Sequence, residues 1–325
     1  MALVTEQFAA CSTEPLVQAY VRMWDAMVRT GSVRSEGVAA MTELNVDHLR
    51  SWIGKQEILH DQVTRFPVAA LSATLDRDDP PPRAGDPLPP LWHWLYFLPS
   101  VRQSNLGPDG HPARGGFLPP VPLPRRMWAG GRLTFLQPLR VDEAISRVST
   151  VQDVTIKQGR NGALCFVVVR HEVAGENGLA LVEDQDIVYR DAAQPGEAPA
   201  APQPVRTDDA WRRDIQPSEP LLFRYSALTF NGHRIHYDRR YAIETEGYPG
   251  MVVQGPLIAT LLTDLLRRST SETVASFRFR AIRPLFDIDP FSVHGAPDGA
   301  GGMALWARNA TGYLAMEAEA RFVGK

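Results

Sequence analysis

The chain contains an internal repeat, and this repeat limits the folds open to it. The segments RLTFLQPLRVDEAISRVSTV and RFRAIRPLFDIDPFSVHG follow one order: an apolar-alternating strand, a Pro-Leu step, an acidic turn and a second β-rich strand. Pro138 and Pro284 mark the step and are 146 residues apart, while Gly162 and Gly312 open further strands and are 150 residues apart. Two offsets this similar predict that one β-rich unit occurs twice.

A leucine-rich helix is predicted ahead of the second set of strands. In GPLIATLLTDLLRR, which begins at Gly255, apolar residues recur at the i, i+3, i+4, i+7 and i+8 spacing of one helical face. They are Leu257, Ile258, Leu261, Leu262, Leu265 and Leu266. Pro256 suits the first turn of such a helix. A buried helix followed by antiparallel strands predicts an α+β fold in which the sheet wraps around the helix.

Length and composition divide the chain into parts. Its 325 residues favour two domains of about 150 residues each. Residues 194–210 include QPGEAPAAPQP, which has no hydrophobic periodicity and is typical of a linker. We therefore expect a first unit at 44–193 and a second at 211–325. A helical extension that contains LVQAYVRMWDAMVRT is expected at 1–43.

Charge, cysteine content and hydropathy exclude several classes of protein. The formal net charge of −3 gives no reason to expect nucleic acid or an anionic membrane as a partner. The two cysteines, Cys11 and Cys165, form neither a disulfide framework nor a metal-ligand pattern. The sequence has neither a signal-peptide pattern at its start nor a run of about 18 apolar residues. We expect a cytoplasmic protein.

The segment most indicative of function precedes the predicted helix. RYSALTFNGHRIHYDRRYAIETEGYPGMVVQGPLIA places Asn231, His233, Arg234, His236 and Asp238 within eight residues. A polar turn this dense is poor material for a core and is typical of a site. Taken by itself, however, a histidine in a polar loop is more often structural than catalytic.

This segment resembles the hydratase motif of MaoC-like dehydratases and R-specific enoyl-CoA hydratases. In that family, a Ser-Ala-Leu-Thr-type run, here from Ser226, leads to an aspartate and a histidine five residues apart and then to a glycine that opens a helix. The resemblance implies that His236 is the catalytic histidine and that the N–H of Gly255 polarises a thioester carbonyl, with Ser226 beside it. Asn231 occupies the aspartate position, where an amide cannot transfer a proton as an acid or base. We expect Asn231 to take part in catalysis by holding the water or the thioester.

The forms TFNGHRIHYD and EGYPGMVVQGPL, with PLWHWLYFLP and RRMWAGGRLTF in the first half, resemble a fused double hot-dog subgroup. That subgroup contains mesaconyl-C4-CoA hydratases, itaconyl-CoA hydratases and type 2 hydroxyacyl-thioester dehydratases. The resemblance implies an α+β double hot-dog, in which each unit is an antiparallel sheet around a long central helix. It also implies a degenerate first unit that shapes the acyl pocket and a second unit that carries the site.

Hydration of a 2-enoyl thioester needs a base for water, an acid for the α-carbon and a donor for the enolate oxygen. We expect His236 to transfer protons, and Asp238 and His233 are the nearest substitutes for the missing carboxylate. Gln254 is a candidate substrate contact. Arg234 is a candidate partner for a substrate carboxylate, although a surface arginine on the turn is an equally good interpretation.

The predicted activity is reversible hydration of a 2-enoyl-CoA, with mesaconyl-C4-CoA as the leading substrate. The alternatives are a 3-hydroxyacyl dehydratase that uses acyl carrier protein and a non-catalytic thioester-binding module. No cofactor is expected beyond the thioester handle, and no metal. The histidines outside the motif have no ligand spacing; they include His93, His111, His171 and His294. Whether the chain pairs further into a homo-oligomer stays open.

Overall fold

The computed structural model describes residues 44–159, 162–191, 203 and 205–324. The predicted helical extension at 1–43 lies outside the described residues, as does most of the predicted linker. None of the helices in the described part of the chain is long and apolar enough to cross a membrane.

The first unit contains two short helices and five strands. Its helices are α1 (Val46–Arg50) and α2 (Arg65–Thr74). Its strands are β1 (Gln56–Gln62), β2 (Arg125–Phe135), β3 (Ala144–Gly159), β4 (Gly162–Gly175) and β5 (Gly178–Arg190). Between α2 and β2 lie two 3-10 turns at Trp92–Leu95 and Gln103–Asn105.

The second unit has the same number of strands and a longer helix. Its strands are β6 (Trp211–Ile215), β7 (Val274–Ala281), β8 (Phe291–Pro297), β9 (Met303–Asn309) and β10 (Leu314–Phe322). Its helices are α3 (Glu219–Leu228) and α4 (Gly255–Ser269). A 3-10 turn at Arg234–His236 and a π-helical turn at Tyr241–Thr245 lie between these helices.

All ten strands form one antiparallel sheet in the order β1-β3-β4-β5-β2-β7-β10-β9-β8-β6. Each half therefore has the same internal order, and the halves meet where β2 pairs with β7. Arg132 lies opposite Arg278 in this pair, and these two residues are related by the 146-residue offset of the repeat. The register thus places a twofold-like axis between them, as expected for a pseudo-dimer in one chain.

One of the two sequence matches was assigned to the wrong strands. Gly162 begins β4, whereas Gly312 precedes β10, and the strand at the position of β10 in the first half of the sheet is β5. The Pro138 and Pro284 match is correct, because it joins β2 to β3 and β7 to β8. Strands of similar apolar content are easily mistaken for one another when only their spacing in the sequence is compared.

The sheet of the second unit wraps around α4. Ten consecutive residues of this helix, 257–266, are buried, and it packs against β6, β8, β9 and β10. Alternate residues of β8, such as Phe291 and Val293, belong to the same core, as the period of a strand requires. The helix that follows β1 in the first unit, α2, has only ten residues.

An ionic network ties α4 to the first unit. The Asp264 side chain, on α4, is fully buried, and its oxygens accept from Arg77 at 2.8 Å, Arg213 at 2.6 Å and Arg268 at 2.7 Å. Arg77 belongs to the first unit, and Arg213 and Arg268 also donate to the carbonyl of Leu75 there. Removing the carboxylate from a buried cluster with three guanidinium groups lowers stability, because the guanidinium groups then lose their counter-charge.

We expect Asp264→Asn to lower the free energy of unfolding by about 3–5 kcal/mol, since it leaves a buried cluster of arginines without its carboxylate. Chemical denaturation measures this change. Asp214→Asn is the matched control: its pair with Arg212 at 2.8 Å is exposed, and such pairs contribute only about 0–1 kcal/mol. Equal effects of the two substitutions would contradict the role given to the network.

Candidate active site

His236 is buried at the end of the 3-10 turn, and its protonation pattern follows from its anchor. Its Nδ1 lies 2.7 Å from the carbonyl oxygen of Val252. Because a carbonyl only accepts hydrogen bonds, Nδ1 carries the proton and the lone pair lies on Nε2. Burial lowers the pKa of His236 to about 4. The ring is therefore neutral near pH 7, with one nitrogen ready to accept a proton.

Helix α4 begins three residues after Val252. Gly255 is the first helical residue and Pro256 the second, so the Gly255 N–H has no acceptor within the helix. The positive end of the helix dipole adds to this donor. A Cβ on Gly255 would lie 3.7 Å from the carbonyl oxygen of Trp128, which is ordinary van der Waals contact. The role predicted for Gly255 thus rests on its N–H and its position.

Gln254 and Ser226 fasten α3 to the start of α4. The fully buried amide of Gln254 donates to the Leu222 carbonyl oxygen and to the hydroxyl of Ser226, both at 2.9 Å. Gln254 Oε1 is buried and has no hydrogen-bond partner within the described residues. The two side chains therefore position the helix terminus. Gln254 Oε1 is the atom of this pair that can still accept a hydrogen bond from a substrate.

Asn231 shapes the loop that carries His236. Its Oδ1 accepts from the backbone N–H of His233 at 3.1 Å, and its own N–H donates to the Ser226 carbonyl oxygen at 2.8 Å. This is the local turn bond that Asn and Asp side chains make readily. An aspartate could make the same turn, so the asparagine keeps the loop geometry and removes the acid.

Arg234 and Asp238 hold each other and the loop. Arg234 donates to Asp238 Oδ2 from Nη2 at 2.8 Å and to the Pro108 carbonyl oxygen at 3.0 Å. Its guanidinium also lies 4.1 Å from the ring centroid of Tyr241, and Asp238 accepts the Tyr241 N–H at 3.0 Å. These contacts support a loop-building role for both residues. They argue against Asp238 as the missing carboxylate and against Arg234 as a partner for substrate.

The first unit contributes two side chains that the sequence analysis did not select. Asp109 Oδ2 lies 3.0 Å from Nδ1 of His111, and the His111 ring centroid is 4.0 Å from that of His233. The His233 ring is in turn 5.3 Å from that of His236. His111 has no ligand spacing in the sequence, yet the structure places it beside His233. More than 120 residues separate it from His233 in sequence, and no local pattern marks the contact.

Two glycines make this docking possible. A Cβ on Gly110 would overlap the carbonyl oxygen of Gly232, and a Cβ on Gly232 would lie 2.7 Å from the carbonyl oxygen of Gly110. The Arg234 N–H donates to the Asp109 carbonyl oxygen at 2.9 Å. The backbone of the turn of the first unit therefore contacts the backbone of the second unit's loop that carries His236.

Burial dominates the electrostatics of the three histidines. Burial lowers the pKa of His111, although Asp109 opposes this effect. Burial also brings the pKa of His233 to about 2, with further lowering by the imidazoles of His111 and His236. Burial alone would raise the pKa of Asp109, but the hydrogen bonds from His111 hold it below its usual range. Near neutral pH the arrangement is a carboxylate followed by three largely uncharged rings.

Comparison with known proteins identifies the family of the chain. The model of the family named hydroxyacyl-thioester dehydratase type 2 matches residues 91–287, more than half of the chain. The chain belongs to this family. It is 48% identical over 249 residues to a mesaconyl-C4-CoA hydratase of Chloroflexus aurantiacus, with 77% of this chain and 89% of the relative covered. The matched residues include both the His111 turn and the His236 loop.

Solved structures support the fold. HtdX of Mycobacterium tuberculosis superimposes with a TM-score of 0.56 at 22% identity, covering 82% of this chain and all of that one. A second protein of that organism, described as a double hotdog, gives 0.52 at 12% identity and covers 82% and 95% of the two chains. The predicted double hot-dog is therefore confirmed.

We expect Gly110→Ala to displace the first unit's turn, because the new methyl group overlaps backbone that cannot move aside. The protein should lose about 1–3 kcal/mol of stability and most of its activity. Gly85→Ala is the matched control, since Gly85 has a similar φ of 82° against 86° but nothing within 4 Å of its Cβ. Thermal unfolding and turnover measure both effects, and indistinguishable variants would contradict the docking described here.

Proposed function

We propose that the chain catalyses reversible hydration of a 2-enoyl-CoA, with mesaconyl-C4-CoA as its substrate. The observation that carries the proposal is the pairing of a buried neutral histidine, whose Nε2 is free to accept a proton, with the amino end of a buried helix that begins three residues after Val252. The reaction needs a base for water and a donor for an oxyanion. The site offers both.

The chemistry follows from these two groups. With the thioester oxygen on the Gly255 N–H, the double bond is polarised and the β-carbon becomes electrophilic. Nε2 of His236 takes a proton from water as the water oxygen bonds to the β-carbon. The π electrons move to the thioester oxygen, where the helix terminus stabilises the charge. The α-carbon then takes up a proton and the carbonyl re-forms. Dehydration is the reverse.

The substrate carboxylate requires a cation near the histidines. Mesaconyl-C4-CoA carries its free carboxylate on the β-carbon, which is the carbon that water attacks. Arg126, on β2, lies close enough to His111 and His233 to lower the pKa of both. It shares a strand face with Trp128, whose carbonyl is near Gly255, while the intervening Met127 is exposed. We assign Arg126, in place of Arg234, to the carboxylate.

A 3-hydroxyacyl dehydratase acting on acyl carrier protein is the second candidate, because the matching family is named for hydroxyacyl thioesters. The same His236 and Gly255 would serve it. The substrates of the two candidate functions differ only in the thioester carrier, CoA or acyl carrier protein, and in the acyl substituents. Measuring turnover of the same acyl group on CoA and on carrier protein therefore distinguishes the two functions.

We expect the wild type to hydrate mesaconyl-C4-CoA, and His236→Ala to lower kcat at least about 100-fold, the usual contribution of a general base. Loss of enoyl-thioester absorbance follows the reaction. The control is His60→Ala, at an exposed position on β1. Undiminished turnover by His236→Ala would refute the assignment. If the wild type binds CoA esters without converting them or the carrier-protein esters, the chain is a thioester-binding module.

Arg126→Gln should raise KM for mesaconyl-C4-CoA about tenfold or more, the effect of losing one charge-assisted hydrogen bond, and change KM for crotonyl-CoA much less. Crotonyl-CoA has no free carboxylate, so the comparison isolates that group. Arg278→Gln serves as the control, because Arg278 lies on β7 and is paired with Glu319 of β10. An equal KM increase for both esters would instead place Arg126 at the CoA moiety.

A further inference from the structure

The proposed reaction moves two protons, and the catalytic loop offers one well-placed group. Water loses a proton and the α-carbon gains one, yet the loop carries Asn231 where the related hydratases carry an acid, and Asp238 is engaged by Arg234 and the Tyr241 N–H. A second acid–base group must come from elsewhere in the fold. The first unit places an aspartate and a histidine beside this loop.

Asp109 fixes the proton position on His111. One carboxylate oxygen accepts the His111 backbone N–H at 3.0 Å, and the other lies 3.0 Å from Nδ1. Because the carboxylate is ionised near pH 7 and therefore only accepts, His111 Nδ1 carries a hydrogen. Its Nε2 is left to take or give a second proton. His111 and His236 are thus anchored in the same way, through Nδ1, but on different acceptors.

The difference between the two acceptors decides which ring charges first. A carboxylate stabilises the imidazolium that forms on its partner, as in hydrolase triads, whereas the Val252 carbonyl beside His236 is neutral. His111 also faces Arg114 and Arg126, which oppose its charging, and His233 separates it from His236. Among the described residues, Asp109 is the only carboxylate in direct contact with any of the three rings. We therefore expect His111 to be the first of the three histidines to take up a proton.

The histidines and the helix terminus lie along one strand. Arg126 is within electrostatic reach of His111 and His233, and the carbonyl of Trp128 is the nearest group to a Cβ on Gly255. These two strand residues are about 7 Å apart. The helix terminus that would hold the thioester and the two rings are therefore neighbours of the same strand, β2.

Building on the proposed hydratase function, we propose that Asp109 and His111 of the first unit are the second acid–base pair of this active site, with His111 as a catalytic residue and Asp109 positioning it. The site then consists of two histidines from two units of one chain. Neither unit alone holds the complete set.

The proton transfers balance over one turnover. In hydration, His236 Nε2 accepts a proton from water while the new C–O bond forms at the β-carbon. The His111 imidazolium gives its Nε2 proton to the α-carbon as the thioester carbonyl re-forms. His236 then holds the proton that His111 lost, and the intervening His233 or water returns it. Both directions use the singly protonated site, so the dependence of kcat/KM on pH should be bell-shaped.

The test compares Asp109→Asn and His111→Gln with Asp209→Asn on mesaconyl-C4-CoA. Asp209 is the matched control, since it pairs with Nδ1 of His294 at 3.2 Å on β8, away from the loop. We expect both site variants to lower kcat/KM about 100-fold. Asp109→Asn should also move the alkaline limb of the pH profile to lower pH, because the neutral amide no longer stabilises the imidazolium. Asp209→Asn should retain the wild-type profile.

Histidine-resolved NMR titration gives a readout independent of turnover. The pKa of His111 should fall in Asp109→Asn and stay unchanged in Asp209→Asn, with circular dichroism confirming that both variants fold. A merely structural Asp109 would change stability without moving the pH profile. Wild-type kinetics in Asp109→Asn and His111→Gln, with His236→Ala inactive, would overturn this inference and leave the hydratase function standing.

Two further outcomes are decisive. Ligand-type atoms of Asp109, His111 and His233 lie within 4.8 Å of one another, so the same geometry could hold a divalent cation. Loss of wild-type activity with EDTA and its return with Zn²⁺ would replace acid–base chemistry by metal binding. A wild type that converts no enoyl or hydroxyacyl thioester would remove the hydratase function and this inference together.

Discussion

The junction of β2 with β7 is the constraint on which the rest of this structure depends. It converts two five-stranded sheets into one continuous sheet and sets the twofold-like axis between Arg132 and Arg278. Strand pairing fixes register to the residue, since a slip of one position would exchange the two faces of each strand. The relative position of the two units is therefore set by backbone hydrogen bonds, and the proposed site uses residues of both units.

The two units have diverged on either side of this junction. The second keeps a 15-residue central helix, whose amino end follows the His236 loop and whose carboxyl-terminal half contributes Asp264 and Arg268 to the ionic network. The first has a ten-residue helix in the corresponding place after its edge strand, and a long segment between α2 and β2 supplies the Asp109–His111 turn. Duplication followed by such divergence lets one unit provide the scaffold of a site and the other complete it.

Much of the fold could be read from the sequence, because it rests on local patterns. The leucine stripe predicted α4, and the Pro-Leu repeat predicted the equivalent strands on each side of the axis. His236, Gly255 and the loop around Asn231 were found through a motif that is contiguous in sequence. The assignment of Gly312 failed because spacing alone does not distinguish neighbouring strands of similar composition.

The first unit's part of the site could not be predicted in the same way. His111 contacts His233 only because the tertiary fold brings the two segments together. Each segment has a glycine at the contact, Gly110 in the first unit and Gly232 in the second. Neither glycine indicates the contact in the sequence alone. Arg234 was a candidate partner for a substrate carboxylate or a surface arginine on the turn. The structure places its guanidinium against Pro108, Asp238 and Tyr241, which supports a role in building the loop. The contact with Pro108 could not be predicted from the local sequence, because it comes from the first unit.

The most direct test of a site shared between the units is a crystal structure with the saturated analogue of mesaconyl-C4-CoA, which binds but cannot be hydrated. The account predicts the thioester oxygen on the Gly255 N–H, the α- and β-carbons between His236 and His111, and the free carboxylate at Arg126. An analogue bound with its acyl group away from both histidines, or touching residues of one unit only, would contradict it.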